Sequence, residues 1–250
     1  MALVEITDHD AGVRELRLND PDRRNAMSMA LGDALRTAVA QCGDDGVRVV
    51  VLTGAGTAFC AGADLPELFG DVEQSQEQMR QRLGDYYRAF LDVYELPIPT
   101  IAAVNGPAVG AGLNLALACD LRVAGHDATF GATFARIGLH PGGGCTWFLV
   151  QQIGYARAIQ TLLRGQTLDA SRAVADGLAD GPFRDPLDHA LTVAGEFAAA
   201  EPPLSEQIKA TARLAASGAS FADVLEAETA AQAASTRSER LRGWVDRFRR

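Results

Sequence analysis

Cysteine is scarce in this sequence, and its four copies lie far apart at Cys42, Cys60, Cys119 and Cys145. None belongs to a CxxC pair, so the spacing excludes the usual zinc sites and redox dithiols and favours buried free thiols. No run of about 18 apolar residues occurs either, which excludes a membrane-spanning helix.

Basic charge is also in short supply. The chain has 23 lysine and arginine residues against 32 aspartate and glutamate residues, a formal net charge of −9. A general nucleic-acid binder needs a basic face that displaces counterions from phosphates, so this class is disfavoured. The N-terminal stretch MALVEITDHDAGVRELRL alternates apolar and polar residues without a basic flank, which indicates a pair of strands and not a signal peptide. We therefore expect a cytoplasmic protein.

The chain has enough length and apolar content for one large core, with 250 residues of which 48% are hydrophobic. Its first half alternates two kinds of segment: strands are predicted at 13–18, 47–56, 100–106 and 120–125, and helices at 29–41 and in the LNLALA run at 113–118. This order indicates an α/β core. Helical segments dominate from about Gly142 onward, and Pro202 and Pro203 mark the start of a helical tail.

Two glycine-containing turns follow predicted strands. One lies at 61–63 in VVVLTGAGTAFCAGADL (49–65), and the other at 110–112 in PTIAAVNGPAVGAGLNLALACDLRVAG (99–125). The first backbone N–H groups of a helix have no partner inside it, and together with the helix dipole they stabilise an anion. Either turn alone is typical of a tight connection. The two together, in this order, predict a site in which each turn gives one N–H to a single oxygen.

These stretches resemble the enoyl-CoA hydratase/isomerase, or crotonase, superfamily. The matching segments are LNDPDRRNAMSMAL (18–31), VVVLTGAGTAFCAGADL (49–65), IPTIAAVNGPAVGAGLNLALACDLRVAGHDATFG (98–131) and GLHPGGG (138–144), followed by the downstream helices. The resemblance implies an α/β fold, a crotonase-like spiral of ββα units with a C-terminal helical region used in trimer packing. It divides the chain into an acyl-CoA-binding core at 1–200 and a helical region at 201–250.

An acyl-CoA thioester is the substrate that this resemblance implies. Coenzyme A then enters as part of the substrate, and no cofactor is bound permanently. No metal site, nucleic-acid partner or membrane span is expected, and the assembly is expected to be a homotrimer or a hexamer.

The resemblance also assigns the oxyanion site residue by residue. The thioester carbonyl oxygen is expected between the N–H of Ala63 and the N–H of Ala111, where preorganised donors stabilise an enolate-like oxygen as its charge develops. Ala61, Gly62 and Gly110 belong to the same turns and are expected to contact the substrate.

Contacts to the nucleotide part of coenzyme A are implied at both ends of the chain. Segment RRNAM (23–27) resembles the family's CoA-contacting turn, so Arg24 and the backbone of Asn25 and Ala26 are candidates, with an exposed surface charge as the alternative for Arg24. The last helix is implied near the adenine and 3′-phosphate, because arginine suits phosphate by geometry. Its arginines, for which a solvated helix end is the alternative, are Arg237, Arg240, Arg242, Arg247, Arg249 and Arg250.

The sequence departs from the family pattern at two positions. Asn114 and Phe134 stand where hydratases of the family carry their two catalytic glutamates, and the base of the single-glutamate isomerases also matches Phe134. Asparagine can hold a water by hydrogen bonds but cannot take its proton at neutral pH, and phenylalanine can do neither. Ordinary hydratase activity is therefore not expected from these residues.

Three other residues are candidates for the site. His140, in GLHPGGG, titrates in the range of a general base, and a structural hydrogen bond is its alternative role. Asp64 directly follows the first turn and is a candidate acid or base, but an aspartate at a helix start is also typical of a cap. Trp147, like Phe134, is a candidate for an aromatic acyl pocket, with core packing as the alternative.

Three functions remain open at this point. The favoured one is an enzyme that stabilises an acyl-CoA enolate and works as a lyase or isomerase with an unconventional base. The second is a binding protein that has kept the acyl-CoA site and lost catalysis. The third is a hydrolase or decarboxylase of the same fold, in which the oxyanion site is reused with other acid–base groups.

Overall fold

The computed structural model describes residues 2–44, 46–71 and 73–248. It contains two compact units, Met1–Ala199 and Ala200–Arg250. The described residues form nine strands and ten α-helices.

The strands all lie in the first unit. They are β1 (Val4–His9), β2 (Val13–Leu18), β3 (Val49–Gly54), β4 (Thr100–Val104), β5 (Pro107–Val109), β6 (Leu121–Gly125), β7 (Thr129–Gly131), β8 (Thr167–Asp169) and β9 (Asp180–Phe183).

The helices are distributed over both units. The first unit contains α1 (Met29–Asp44), α2 (Leu65–Phe69), α3 (Gln76–Glu95), α4 (Ala111–Ala118), α5 (Cys145–Leu163), α6 (Ala170–Ala175) and α7 (Pro186–Ala198), and the second contains α8 (Pro202–Ala216), α9 (Phe221–Ser235) and α10 (Glu239–Phe248). None of the described helices is long and apolar enough to cross a membrane.

Six strands form the main sheet in the order β1-β2-β3-β4-β6-β9. The pair β1–β2 is antiparallel, with Val4 opposite Leu18, and the other neighbours run parallel. All six residues of β3 are buried. An unbroken apolar run of this kind is typical of a parallel strand that is covered on both faces.

The sheet separates two parts of the core. Val49 and Val51 of β3 belong to a cluster with Ala190, Ala194 and Ala198 of α7, whereas Val50 and Leu52 belong to the larger cluster on the opposite side. This alternation follows the two-residue period of a strand. Helices α1, α3 and α4 contribute to the larger cluster, so the two glycine-containing turns leave the sheet on that side.

Helix α4 is held at its C-terminal end by a buried arginine. The buried Arg122 donates from Nη1 to the carbonyl of Cys119, which caps the C-terminus of α4, and from Nε to the carbonyl of Leu178. Burial lowers the pKa of this guanidinium, but a cation at a helix C-terminus complements the helix dipole. All eight residues of α4 are buried, and its position is therefore set by the surrounding core.

A second sheet contains three strands in the order β5-β7-β8. Strand β5 immediately precedes α4 and pairs in parallel with β7, where Val109 lies opposite Gly131. The N–H of Gly110 donates to the carbonyl of Gly131 over 2.9 Å. This sheet brings the segment that follows β7, including Phe134, next to the start of α4.

The strands predicted from the sequence at 13–18, 47–56, 100–106 and 120–125 are confirmed as β2, β3, β4 and β6. The observed strands β3, β4 and β6 are slightly shorter than predicted. The short strands β5, β7, β8 and β9 and the helix α3 had no sequence-based prediction. The helical region predicted from about Gly142 onward begins with α5, which is interrupted at Gly154 by a non-helical backbone.

Candidate active site

The turn that follows β3 is joined to the turn that precedes α4 by a short parallel ladder. The N–H of Cys60 donates to the carbonyl of Pro107, and the N–H of Val109 donates to the carbonyl of Cys60, both over 3.0 Å. These bonds form an isolated parallel bridge between Cys60 and Ala108. Ala63 lies three residues after Cys60, and Ala111 lies three residues after Ala108. The ladder therefore puts the two predicted oxyanion residues at equivalent positions in the two segments.

Glycine is required where the two turns approach each other. A Cβ on Gly112 would lie 2.0 Å from the carbonyl oxygen of Cys60, and a Cβ on Gly62 would lie 3.0 Å from that of Val109. Gly110 caps α4 with φ 54° and ψ −113°, a conformation that side chains disfavour. The close contact of the two turns therefore depends on these small residues.

The N–H groups of Ala63 and Ala111 are available to a ligand. In the part of the chain that the structure describes, neither has a hydrogen-bond acceptor, and both residues line the same cavity. Ala111 is the first residue of α4, where the helix dipole adds partial positive charge. The pair can stabilise one oxygen that gains negative charge.

Segment 24–27 is hydrogen-bonded to the first turn, at 61–63, and to the residue after it. The N–H of Ala61 donates to the carbonyl of Arg24, the N–H of Met27 donates to the carbonyl of Gly62, and the N–H of Asp64 donates to the carbonyl of Met27. Residues on both sides of Ala63 are thereby fixed while its own N–H is left for a ligand.

The three predicted CoA contacts, Arg24, Asn25 and Ala26, do not line the cavity. Arg24 is exposed, and Asn25 is buried with its side chain bound to backbone groups, including the carbonyls of Ala55 and Ala58. The N–H groups of Asn25 and Ala26 donate to the carbonyls of Asp20 and Arg23. The structure thus gives Asn25 a role in holding the turn, while the side chain of Arg24 lies at the surface.

Asp64 acts as a cap in the structure. Its side chain accepts a hydrogen bond from the N–H of Glu67 at the start of α2 and forms an ion pair with Arg23. The guanidinium of Arg23 holds the pKa of the Asp64 carboxyl below its usual range. Asp64 is not among the residues that line the cavity. Its position favours the capping role over acid–base chemistry.

The cavity at the two turns has a volume of about 350 Å³. Its wall is mostly apolar and contains Leu65, Leu68, Phe69, Leu83, Phe90, Val109, Ile137, Leu139 and Pro141 as well as the turn residues Ala61, Gly62, Ala63, Gly110 and Ala111. The polar side chains of the lining belong to Tyr86, Tyr87, Asn114, Thr133 and His140. No carboxylate belongs to the described lining. Nor do the described residues include a group of three histidine, cysteine or acidic side chains placed to hold a metal ion.

Asn114 and Phe134, the two positions that depart from the family pattern, both line this cavity. Asn114 is 2% exposed, and its Nδ2 donates to the carbonyl of Gly142 over 2.9 Å. The ring of Phe134 lies 3.9 Å from the place of a Cβ on Gly110, so it packs beside the start of α4. Neither side chain can take a proton at neutral pH.

His140 also lines the cavity and is exposed to solvent. Its Nδ1 lies 2.7 Å from the carbonyl oxygen of Pro141. A carbonyl only accepts, so Nδ1 must carry the proton, and in the neutral ring Nε2 keeps its lone pair. Among the described lining residues, His140 is the only one whose side chain carries a basic ring nitrogen with a free lone pair.

Trp147 lies outside the cavity lining and is 44% exposed. It makes edge contacts with Tyr94 and Phe148, with ring centroids 6.0 Å and 5.3 Å apart. The structure therefore assigns it to an aromatic cluster between α3 and α5, and the aromatic part of the cavity wall comes from Phe69, Phe90, Phe134 and the two tyrosines.

Tyr86 and Tyr87 of α3 are site residues that sequence reasoning missed. Tyr86 donates its hydroxyl proton to the carbonyl of Met27 over 3.1 Å, and burial raises the pKa of both phenols. The adjacent pair YY in an amphipathic helix is a weak signal, because such pairs are also common in plain core packing.

Cys60 lies within the first turn with its thiol fully buried. Burial raises the pKa of this thiol to about 11, so it stays protonated and unreactive at neutral pH. All four cysteines are buried and free, as the irregular spacing predicts.

The tail arginines lie in the second unit. Helix α10 carries Arg240, Arg242 and Arg247, and the guanidinium of Arg247 lies 4.9 Å from the centroid of the Trp244 ring. Arg249 and Arg250 lie outside the described residues.

Comparison with known proteins identifies the family. The chain matches the enoyl-CoA hydratase/isomerase family over residues 8–249. It is 48% identical over 213 residues to the Mycobacterium tuberculosis protein named probable enoyl-CoA hydratase EchA14, which covers 85% of this chain and 82% of that relative. The chain therefore belongs to the enoyl-CoA hydratase/isomerase, or crotonase, family.

Solved structures agree on the fold. An enoyl-CoA hydratase from Bacillus anthracis superimposes with a TM-score of 0.90 at 31% identity, over 99% of this chain and 96% of that one. A Thermobifida fusca protein solved in complex with acetoacetyl-CoA superimposes with a TM-score of 0.84 at 31% identity, over 94% and 95% of the two chains. The mixed α/β architecture described above is thus the crotonase fold.

Proposed function

We propose that this protein binds an acyl-CoA thioester in the cavity and stabilises its enolate between the N–H groups of Ala63 and Ala111. The observation that carries the proposal is the ladder at Cys60 and Ala108, which places both unpartnered N–H groups at one cavity wall. The Thermobifida fusca relative solved with acetoacetyl-CoA supports an acyl-CoA ligand for the same fold.

The chemistry begins with the thioester carbonyl oxygen as acceptor of both N–H groups. When a base removes a proton from the carbon next to the carbonyl, the electron pair moves onto that oxygen and the enolate forms. The two donors are already oriented and need no rearrangement as the charge develops. Losing one such donor typically costs about 3 kcal/mol of transition-state stabilisation.

His140 is our candidate for the base. Its Nε2 is free to take the proton because Nδ1 already donates to the carbonyl of Pro141. Return of the proton to the same carbon gives only exchange with solvent, whereas its return to another carbon of an unsaturated acyl chain completes an isomerisation. If the enolate instead expels a leaving group from the β-carbon and that group takes the proton, the reaction is the elimination of a lyase. Asp64 and Asn114 are weaker candidates, since Asp64 caps α2 and Asn114 cannot ionise.

Hydration of crotonyl-CoA should be slow. No carboxylate that could activate and deliver water belongs to the described cavity lining, and general acid–base assistance is typically worth ~10²-fold or more. We expect turnover at least ~10²-fold below that of a hydratase with two glutamates. A rate typical of that class would contradict the assignment of Asn114 and Phe134 to the catalytic positions.

A second candidate function is a non-catalytic acyl-CoA-binding protein. The observation that favours it is the absence of a carboxylate from the described cavity lining, which leaves only a solvent-exposed histidine for proton transfer. In that case the oxyanion donors would contribute to affinity and not to rate.

One experiment separates the two candidates. The protein is incubated with butyryl-CoA in D₂O, and mass spectrometry follows deuterium entering the carbon next to the carbonyl, while calorimetry measures binding. Micromolar binding with deuterium exchange supports the enzyme, and micromolar binding without exchange supports the binding protein. If neither butyryl-CoA nor acetoacetyl-CoA binds, the proposed function is wrong.

We extend the proposal to the assembly. Residues 1–200 serve as the acyl-CoA-binding core and 201–250 as the region that packs the subunits into a homotrimer or hexamer, with the tail arginines near the phosphates of CoA. Large exposed apolar side chains on the second unit support this role, namely Leu204, Ile208, Phe221, Leu225, Leu241, Trp244, Val245 and Phe248. A stable monomer in sedimentation at micromolar concentration would contradict it.

A further inference from the structure

A second cavity of the first unit lies where the end of α5 meets β8 and α6, and we call it the arginine cleft. It has a volume of about 340 Å³ and shares no described lining residue with the cavity at the two turns. The charged residues of its described lining are four arginines and two aspartates, namely Arg136, Arg157, Arg164, Arg172, Asp169 and Asp176. In a chain with a net charge of −9, this cleft carries an excess of positive charge and attracts anions.

Both aspartates of the cleft already have partners. The carboxylate of Asp176, whose side chain is 7% exposed, forms ion pairs with Nε of Arg157 at 3.1 Å and with Nε of Arg172 at 2.7 Å. Asp169 caps α6 by accepting a hydrogen bond from the N–H of Arg172. The negative charge inside the cleft is therefore directed at two of its four arginines.

Arg136 and Arg164 supply the charge that is not compensated. Among the described residues, neither side chain has a hydrogen-bond or ion-pair partner, and both are exposed to solvent. The carbonyls near the end of α5 do not need these guanidinium groups, because they accept from the N–H groups of Arg164, Gly165 and Gln166. Both guanidinium groups are thus available to a ligand.

Thr161 adds a buried hydroxyl to the lining of the cleft. The residue is 4% exposed, and its Oγ1 has no hydrogen-bond partner among the described residues. Thr37 and Thr192 differ, because their hydroxyls donate to the carbonyl four residues earlier in the helix. Unlike Oδ1 of Asn114, Oγ1 of Thr161 keeps accessible surface, so a ligand can reach it. A ligand that accepts a hydrogen bond from this hydroxyl gains affinity.

The fold places these three donors side by side. Thr161 and Arg164 are three residues apart at the end of α5, a spacing that puts side chains on the same face of a helix. Arg136 packs against Gly165, the next residue, where a Cβ would lie 2.7 Å from Cγ of Arg136. The donors therefore surround one end of the cleft.

We propose that the arginine cleft binds the phosphate group of a small phosphorylated ligand, with Arg136, Arg164 and Thr161 as hydrogen-bond donors. This site is separate from the cavity at the two turns, and the inference does not depend on the proposed function.

A phosphate group fits the cleft better than a carboxylate. It carries a charge of about −2 at neutral pH and presents three acceptor oxygens, which match two guanidinium groups and one hydroxyl. A carboxylate carries a single negative charge, so it would compensate only one of the two free arginines. The volume of the cleft also leaves room for the group to which the phosphate is attached.

The test measures phosphate binding in the wild type and in variants of the three donors. Calorimetry follows the titration of inorganic pyrophosphate and of glycerol 3-phosphate into the wild type, Arg136→Gln, Arg164→Gln and Thr161→Val. We expect a single saturable site per chain in the wild type. Each arginine variant should weaken binding roughly tenfold and the threonine variant roughly threefold, the usual sizes for charged and neutral hydrogen bonds. The probe that binds more tightly shows whether the site takes a free phosphate or a phosphate ester.

Arg184→Gln is the matched control, because Arg184 is also exposed, has no partner among the described residues and does not line the cleft. It should keep the wild-type affinity. No saturable binding of either probe at millimolar concentration would overturn the inference, and so would equal weakening in Arg184→Gln and the cleft variants.

Two further measurements assign the cleft if it serves another purpose. Displacement of pyrophosphate by saturating butyryl-CoA would show that the phosphates of coenzyme A occupy the cleft, and the proposal of a separate site would be wrong. Sedimentation of Arg136→Gln and Arg164→Gln should show the wild-type assembly. Dissociation of these variants, with no pyrophosphate binding in the wild type, would assign the cleft to a contact between subunits and overturn the inference.

Discussion

Two walls of the same cavity differ in the chemical groups that they present to a ligand. The wall that contains Ala63 and Ala111 presents backbone N–H groups, whereas a second wall, here called the side-chain wall, presents the side chains of Tyr87 and Asn114. Any residue except proline supplies an N–H, so the backbone wall depends on how the turns pack and hardly on which side chains stand there. The side-chain wall changes its chemistry with a single substitution.

This difference explains how the chain keeps an oxyanion site while lacking both family glutamates. The backbone wall is held by the ladder at Cys60 and Ala108 and by main-chain hydrogen bonds from segment 24–27, to which the side chain of Asn25 adds bonds to the carbonyls of Ala55 and Ala58. Asn114 and Phe134 replace acid–base groups without touching that ladder. A fold of this kind can change its reaction and still stabilise the same enolate.

The largest effect should come from breaking the backbone wall with Gly112→Ala. The new Cβ would lie 2.0 Å from the carbonyl oxygen of Cys60, and a backbone atom cannot rotate away. We expect a loss of about 3 kcal/mol in the free energy of unfolding and loss of acyl-CoA binding. Urea unfolding and calorimetry measure both.

Gly84→Ala is the control for this substitution. Gly84 also lies within a helix, but a Cβ there meets nothing within 4 Å. Alanine favours the helix, so this variant should gain roughly 0.5–1 kcal/mol. Similar stabilities for the two variants would show that the turns do not depend on their close contact.

Placing carboxylates at positions 114 and 134 should raise the rate of hydration. The double variant Asn114→Glu with Phe134→Glu places two acids beside an oxyanion site that is already organised, and we expect crotonyl-CoA hydration to increase at least ~10²-fold. Burying two acids is unfavourable, so unfolding must first show that the variant is folded.

The double variant Asn114→Gln with Phe134→Gln controls for shape without ionisation. It should stay at the wild-type rate. If the folded glutamate variant is no faster than the glutamine variant, the cavity has been reshaped for a different reaction.

Replacing the candidate base separates binding from proton transfer. His140→Gln removes the Nε2 lone pair, and we expect the deuterium exchange of butyryl-CoA to fall about 10²-fold while its affinity is unchanged. His126→Gln is the comparison variant, since His126 is exposed and does not line the cavity. Unchanged exchange in His140→Gln would assign the proton transfer to another group or to solvent.

The smallest expected effect is a loss of stability at alkaline pH. It arises from two buried thiols, one near each wall. Cys60 lies in the first turn, and Cys145 follows the glycine segment; burial raises the pKa of these thiols to about 11 and about 12. Unfolded thiols ionise near pH 8.5. Their protonated burial therefore stabilises the protein below that pH, and this contribution is lost as the pH rises from about 8.5 towards 11.

At pH 9.5 the loss should be about 1 kcal/mol for each thiol relative to pH 7.5, measured by urea unfolding. Cys60→Ala and Cys145→Ala should each remove one part of this alkaline slope. An unchanged slope in both variants would mean that other groups, such as the buried phenols, control it.

Much of this protein could be read from local patterns in the sequence. The unbroken apolar run of β3, the alternation in β2 and the glycines before α4 predicted strands and turns that the structure confirms. The absence of carboxylates at 114 and 134 was visible in the same way, and both positions line the cavity. These features depend on neighbouring residues, whose spacing the sequence gives directly.

Contacts between distant segments were decided only by the tertiary structure. Asn114 meets Gly142 from 28 residues away, and Tyr87 meets the same glycine from a helix that the sequence did not predict. Trp147, equally aromatic, lies outside the cavity in a cluster with Tyr94. Periodicity shows which residues share a face of an element, but the packing of α3, α4 and α5 against one another determines which of those faces meet at the cavity.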